Sequence, residues 1–245
     1  MDILKTKLQI GAKKTFKIIH MSDTHLTLAD LRDGERKVKL AEERLPIFPH
    51  AEEMLEAADR LTKELGAPIL STGDLIDFVS LKNLERAKEF AKTHDLFLAA
   101  GNHEYSLYVG EAFEDAAYRN QSLQKVQAAF KNNIRQSARV IEGINFVAID
   151  NGYYLFEEEQ LAFLKEEAKK GLPIVLLLHV PFYKEELARQ AADPCTHETI
   201  AYIREERLIK GVIAGHIHKN TEGTALGRLP QWTTGCTTLR VFEIS

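Results

Sequence analysis

Residues 16–25 read Phe-Lys-Ile-Ile-His-Met-Ser-Asp-Thr-His. The stretch is apolar and β-prone through Ser22, then turns polar at Asp23 and His25. A buried strand with a carboxylate and an imidazole at its exit is an unusual ending, and it recurs along the chain. Residues 69–72 run into Gly73, Asp74 and Asp77, and residues 96–100 into Gly101, Asn102, His103 and Glu104. The apolar run 174–178 stops at His179, and 212–214 stops at Gly215, His216 and His218. Between these strands lie segments of helical period. Met54, Leu55, Ala58, Leu61 and Leu65 space a helix over 50–65, stopped by Gly66 and Pro68. Further helices are expected over 83–94, 111–132, 157–170 and 196–207, with strands at 138–141 and 144–149 about a turn at Gly143. Strands alternating with helices, followed by a strand-rich end, predict an α/β layered sandwich.

The 245 residues are 44% hydrophobic, enough for a sizeable core, and no repeat, low-complexity tract or linker divides them. A single domain over 1–245 is expected. Lys and Arg number 32 against 36 Asp and Glu, and a net charge of −4 with no basic tail argues against a nucleic-acid partner. The longest apolar run, 172–182, is too short for a bilayer and contains His179, so no membrane partner is expected. Lys5, Lys7, Lys13 and Lys14 precede no apolar signal-peptide segment, and Cys195 and Cys236 lack metal or redox spacing. A reduced, cytoplasmic protein is the expectation.

In an open α/β sheet the C-terminal ends of parallel strands share one edge, and ligands bind there. Five polar strand exits would therefore converge. Carboxylate, imidazole and carboxamide donors without thiolate suit Mn, Fe or Zn. Asp23 and His25 lie two apart, as do His216 and His218, so extended backbone would turn both members of each pair to one side. Each short string arises easily by chance, and Asp74, Asn102 or His179 alone reads as a turn former or a core residue. The ordered set is far more specific.

The order Asp23-Thr-His25, Gly73-Asp74-x-x-Asp77, Gly101-Asn102-His103-Glu104, His179 and Gly215-His216-Ile-His218 resembles the calcineurin-like metallophosphoesterase superfamily. That resemblance implies two stacked mixed sheets flanked by helices, and two divalent metal ions. It implies that Asp23, His25, Asp74 and His218 hold one ion, and that Asp74, Asn102, His179 and His216 hold the other, with Asp74 shared. It further implies hydrolysis of a phosphomonoester or phosphodiester of a small molecule, by hydroxide held between the ions. His103 would be the general acid, oriented by an acidic partner for which Glu104 is the candidate, and Asp77 would support a ligand. The likeness stops short of the Ser/Thr protein phosphatases, because Phe78 and Val79, not Arg-Gly, follow Asp77 and Ala100, not Arg, precedes Gly101. Asp-Thr-His-Leu at 23–26 is also similar to the cyclic-nucleotide phosphodiesterase branch. A nuclease and a catalytically silent binding module are the competing readings. Substrate digestion separates the first, and the presence of all seven ligand positions weighs against the second.

Several residues fall outside these motifs. The charged segment 27–49 has no clear period and leaves directly from His25. It reads as a solvated loop or short helix, or as a substrate-lining insertion. His197 and Tyr105 are candidate substrate contacts, whereas His20 and Trp232 read as structural.

Overall fold

A computed structural model of the chain describes residues 1–111, 116–190 and 193–245. The stretch that opens the sequence pattern is the second strand, β2 (Phe16–Met21), because a strand β1 (Asp2–Leu8) precedes it. Then come α1 (Glu35–Arg44), α2 (Ala51–Leu65), β3 (Ile69–Ser71), α3 (Leu81–Thr93) and β4 (Leu96–Leu98). The chain continues with α4 (Ala116–Gln127), β5 (Gln136–Ile141), β6 (Ile144–Ile149), α5 (Glu158–Ala168) and β7 (Ile174–Leu177). It closes with α6 (Lys184–Gln190), α7 (Pro194–Glu205), β8 (Ile209–Ala214), β9 (Thr221–Ala225), β10 (Leu229–Thr233) and β11 (Thr238–Ile244).

Local chemistry accounts for the boundaries. Helix α2 buries Met54, Leu55, Ala58 and Leu61 along one face and ends at Gly66, whose φ of 60° is the left-handed cap. The Ser80 hydroxyl accepts the Asn83 N–H at 2.9 Å and starts α3. Asp193 caps α7 by accepting the Thr196 N–H at 2.8 Å, with Pro194 at the first helical position. The β5–β6 hairpin turns at Glu142 and Gly143, both at positive φ, as a tight two-residue turn requires.

The strands form two mixed sheets, ordered β1-β11-β2-β3-β4 and β5-β6-β7-β8-β10-β9. In the first, β2, β3 and β4 run parallel, and in the second β6, β7, β8 and β10 do. Ile18, Leu70, Phe97, Phe146, Val175, Leu177, Ile213, Trp232 and Phe242 fill the seam between the sheets. Burying a side chain of this size contributes about 1.5–3 kcal/mol. The outer face of the first sheet packs under α2 and α3, and that of the second under α5 and α7. This is the α/β/β/α sandwich expected from the sequence. No helix among the described residues is long and apolar enough to cross a membrane.

Within 27–49 the short-helix reading holds for residues 35–44, which form α1; it buries only Ala41 and so carries almost no apolar period. The helix expected over 111–132 is described as α4, with 112–115 outside the described residues.

Candidate metal centre

The five polar exits meet where the C-terminal ends of β2, β3 and β4 face those of β7 and β8 across the seam. Two exit loops are zipped together by backbone. Asp23 N–H donates to Gly73 O at 3.0 Å, His25 N–H to Asp74 O at 2.8 Å, and Asp77 N–H to Leu26 O at 2.9 Å. The second sheet is tied in by the His216 N–H, 3.0 Å from both Asp23 carboxylate oxygens. Gly215 N–H donates to His179 O, and Asn151 clamps the 179–180 turn by accepting both of its N–H groups at 2.9 Å.

The sequence spacing converges for a different reason from the one expected. Asp23, His25, Asp74, His216 and His218 all have positive φ, between 51° and 68°. They are left-handed turn residues, not extended backbone. Such a conformation costs a non-glycine residue of order 1–3 kcal/mol, and it persists only where surrounding structure enforces it. Glycine is needed beside them: a Cβ on Gly101 would lie 2.3 Å from an Asp74 oxygen, and one on Gly215 would lie 2.5 Å from Asp23 Oδ2.

Asp74 sits at the middle. Its Oδ2 is 3.7 Å from His25 Nε2 and 3.2 Å from His179 Nε2, while Oδ1 accepts the His103 N–H at 2.8 Å. On one side of it His218 Nε2 lies 3.1 Å from His25 Nε2 and 3.3 Å from Asp23 Oδ1. On the other, His179 Nε2 lies 3.1 Å from Asn102 Oδ1 and 3.2 Å from His216 Nδ1. Asp23, His25, Asp74 and His179 form a buried floor, and His103, His216 and His218 form the side nearer solvent. All seven expected ligand residues are thus brought together. Asp23, His25 and His218 make one compact donor group, and Asp23, Asp74 and His179 another.

The donor set fits paired divalent ions. Imidazole nitrogens facing each other at 3.1–3.2 Å repel unless a proton or a cation lies between them. Without metal, protons take that place. Burial opposes a charge on His179, but the Asp74 and Asp23 carboxylates outweigh it and raise the imidazole to about 10. Asp74 itself falls well below the usual carboxylate range: burial acts upward, and the His179, His103 and His25 imidazoles overcome it. His216 drops to about 4 through burial and the neighbouring His179.

His103 belongs to a different environment. Its Nδ1 donates to Asp77 O at 2.6 Å and lies 3.2 Å from Asp77 Oδ1. Burial lowers its affinity for a proton, and Asp74 and Asp77 more than reverse this, raising it to about 9. His103 also lies within reach of His25 and Asp74 as a third donor group, and its Nδ1 is turned away from them onto Asp77.

Three expectations are corrected by the geometry. Glu104 does not orient His103. Its carboxylate accepts the backbone N–H groups of Asp74, Leu75 and Gly101, each at 2.7 Å, and so braces the loops. The acidic partner of His103 is Asp77, which also binds His25 Nδ1 at 2.9 Å. Tyr105 is fully buried with its hydroxyl on Asp150 Oδ2 at 2.9 Å, and His197 is exposed on α7 over the outer face of the second sheet. Neither belongs to the cluster.

Other contributors carry no motif. Arg44, at the end of α1, binds Asp77 through Nε at 2.6 Å and Nη2 at 2.8 Å. The Phe48 ring stacks on His25 with centroids 4.0 Å apart and planes 13° from parallel. The Tyr154 hydroxyl meets His216 Nε2 at 2.6 Å, and the Thr72 carbonyl accepts from His179 Nδ1 at 2.7 Å. Two concavities, of about 580 and 620 Å³, lie elsewhere and are lined by none of these residues.

Comparison with known proteins identifies the family and the fold. The family model described as calcineurin-like phosphoesterase matches residues 16–220. Among solved structures, a dimetal phosphatase from Danio rerio superposes with a TM-score of 0.58 at 14% identity, covering 91% of this chain and 88% of that one. A 5'-nucleotidase from Candida albicans is similar at 14% identity and a TM-score of 0.47, covering 91% of this chain and 45% of that one. No curated protein matches the chain significantly. The chain belongs to the calcineurin-like phosphoesterase family, and is a hydrolase acting on phosphoric esters.

Proposed function

We propose that the chain hydrolyses a phosphomonoester or phosphodiester of a small molecule, using two divalent ions drawn from Mn, Fe and Zn. The observation that carries this reading is Asp74 Oδ2, placed between His25 Nε2 and His179 Nε2, the position from which one carboxylate serves two donor groups. Asp23, His25, Asp74 and His218 would hold one ion, and Asp74, Asn102, His179 and His216 the other. Bound there, paired ions supply Lewis-acid polarisation of a phosphoryl oxygen and an acidified water.

The chain's own residues do the rest. The buried floor excludes water from beneath the phosphoryl group, while His103, His216 and His218 face the side from which an ester arrives. Asp77 fixes His103 through Nδ1, which leaves Nε2 to present a proton to the leaving oxygen. In the metal-free chain Asp74 and Asp77 favour the protonated imidazole, raising His103 to about 9. Free thiols at Cys195 and Cys236 support a reducing, cytoplasmic setting.

The test is activity of the metal-loaded chain on monoesters, diesters, cyclic nucleotides and oligonucleotides. Release of phosphate or of an alcohol from a small ester is expected, and cleavage of oligonucleotides alone would replace this reading with the nuclease.

A further inference from the structure

The segment 27–49 looks like a solvated surface stretch by composition, yet it sends two side chains into the metal centre. Asp77 is fully buried and touches both a ligand and the proton donor, since its Oδ1 lies 2.9 Å from His25 Nδ1 and 3.2 Å from His103 Nδ1. Two imidazoles on one oxygen do not fix the rotation of a carboxylate. A guanidinium fork spanning both oxygens does. Arg44 supplies that fork, with Nε on Oδ2 at 2.6 Å and Nη2 on Oδ1 at 2.8 Å. Among the described residues no other Lys or Arg reaches Asp77. The guanidinium is held in turn over the Phe48 ring at 5.1 Å, and that ring stacks on His25. At the other end of α1, Arg36 packs at 3.5 Å over Tyr108 and does not approach Asp77.

We propose that Arg44 is a positioning residue which, by locking the Asp77 carboxylate, sets the orientation of both His25 and His103. The proposal deepens the functional reading above and rests on it for the role of His103, though not for the role of His25. Without Arg44, Asp77 Oδ2 has no donor among the described residues, and a buried carboxylate in that state turns or draws in water. His25 then loses the partner that aims Nε2, and His103 keeps the Asp77 backbone carbonyl but loses the carboxylate oxygen beside its Nδ1.

The experiment titrates metal-free wild type, Arg44→Ala, Arg44→Lys and Arg36→Ala with Mn²⁺ alone by calorimetry. It then compares the loaded proteins on an aliphatic phosphate ester and a nitrophenyl phosphate. Loss of such an outer partner weakens metal affinity by about 10–100-fold. Arg44→Ala should show that loss at one of two positions and keep the other. Millimolar guanidinium should restore it where the same concentration of sodium chloride does not. Arg44→Lys, unable to span both oxygens, should recover only in part, and Arg36→Ala should bind as wild type does. The rate loss in Arg44→Ala should be larger for the aliphatic ester. Wild-type affinity at both positions in Arg44→Ala, the same loss in Arg36→Ala, or no response to guanidinium would overturn the proposal. A wild type that binds two ions and hydrolyses no ester would overturn the functional reading instead, and Arg44 would still be judged by the Mn²⁺ titration.

Discussion

The two halves of the metal centre are held by different means. His179 is fixed from within the sheets: its Nδ1 donates to a backbone carbonyl at the end of β3, its N–H goes to Asn151, and it lies fully buried. His25 is fixed from outside them, by Asp77, Arg44 and the Phe48 ring. Its neighbour His218 keeps over a third of its side chain open to solvent. One position is part of the sandwich, and the other depends on a helix that buries a single alanine. The two should respond differently to substitution, with Asp74 the residue proposed to serve both.

The largest effect is expected at that shared residue. Asp74→Asn removes the charge facing both histidines, and both ions should be lost, with affinities falling by more than the ~10–100-fold typical of an outer partner. Metal per chain measured after dialysis checks this, and retention of two ions would break the symmetry of the account.

His103→Asn should leave both halves loaded and still slow the reaction. Positioned proton transfer typically contributes ~10²–10⁴-fold, and the loss should be greatest for aliphatic esters, because nitrophenolate departs without a proton. Equal losses on the two leaving groups, measured where chemistry limits the rate, would remove His103 from the acid role.

Tyr154→Phe sharpens the contrast from the opposite side to Arg44. It keeps the ring and deletes the hydroxyl that meets His216 Nε2. A loss of about 10–100-fold in affinity is expected at the position built on His179, with the position built on His25 unchanged. Calorimetric titration of Mn²⁺ into this variant and into Arg44→Ala should show opposite positions weakened.

The smallest effect is in protons. Metal-free His179 is raised to about 10 and carries a proton at neutral pH, whereas His216, lowered to about 4, does not. A histidine must be neutral to bind, so loading the position built on His179 should expel about one proton, and its affinity should rise with pH up to about 10. Calorimetry in buffers of different ionisation enthalpy reads this number directly. Loading with no proton release would contradict the place assigned to His179.

The residues that were legible in the sequence are those that interrupt an apolar run. Asp23, Asp74, Asn102, His179 and His216 stand out because a strand ends in a polar residue where a turn former would suffice. The sheets were legible for the same reason, through the apolar stretches that fill the seam. Arg44, Phe48 and Tyr154 were not, since each reaches the site through tertiary packing and none sits in a periodic or motif context. Helix α1 is legible only as one of the readings of 27–49, because periodicity reports burial and α1 buries only Ala41. Strand β1 escaped: Thr6 and Leu8 point inward while Ile3, Lys5 and Lys7 do not, so its pattern is too polar to read as a strand. The left-handed backbone of five candidate ligand residues leaves no mark in composition, because only glycine advertises it. Glu104 shows the limit of motif reading: its place beside His103 in sequence suggested a partner, and its side chain instead binds three backbone N–H groups.

The central claim is that Asp74 joins two metal positions into one site. Anomalous diffraction from crystals of the manganese-loaded protein measures this most directly. The account predicts two peaks per chain, about 3.5–4 Å apart. One should lie against Asp23, His25 and His218, the other against Asn102, His179 and His216, with the Asp74 carboxylate between them. A single peak, or two peaks with Asp74 bound to only one, would contradict it.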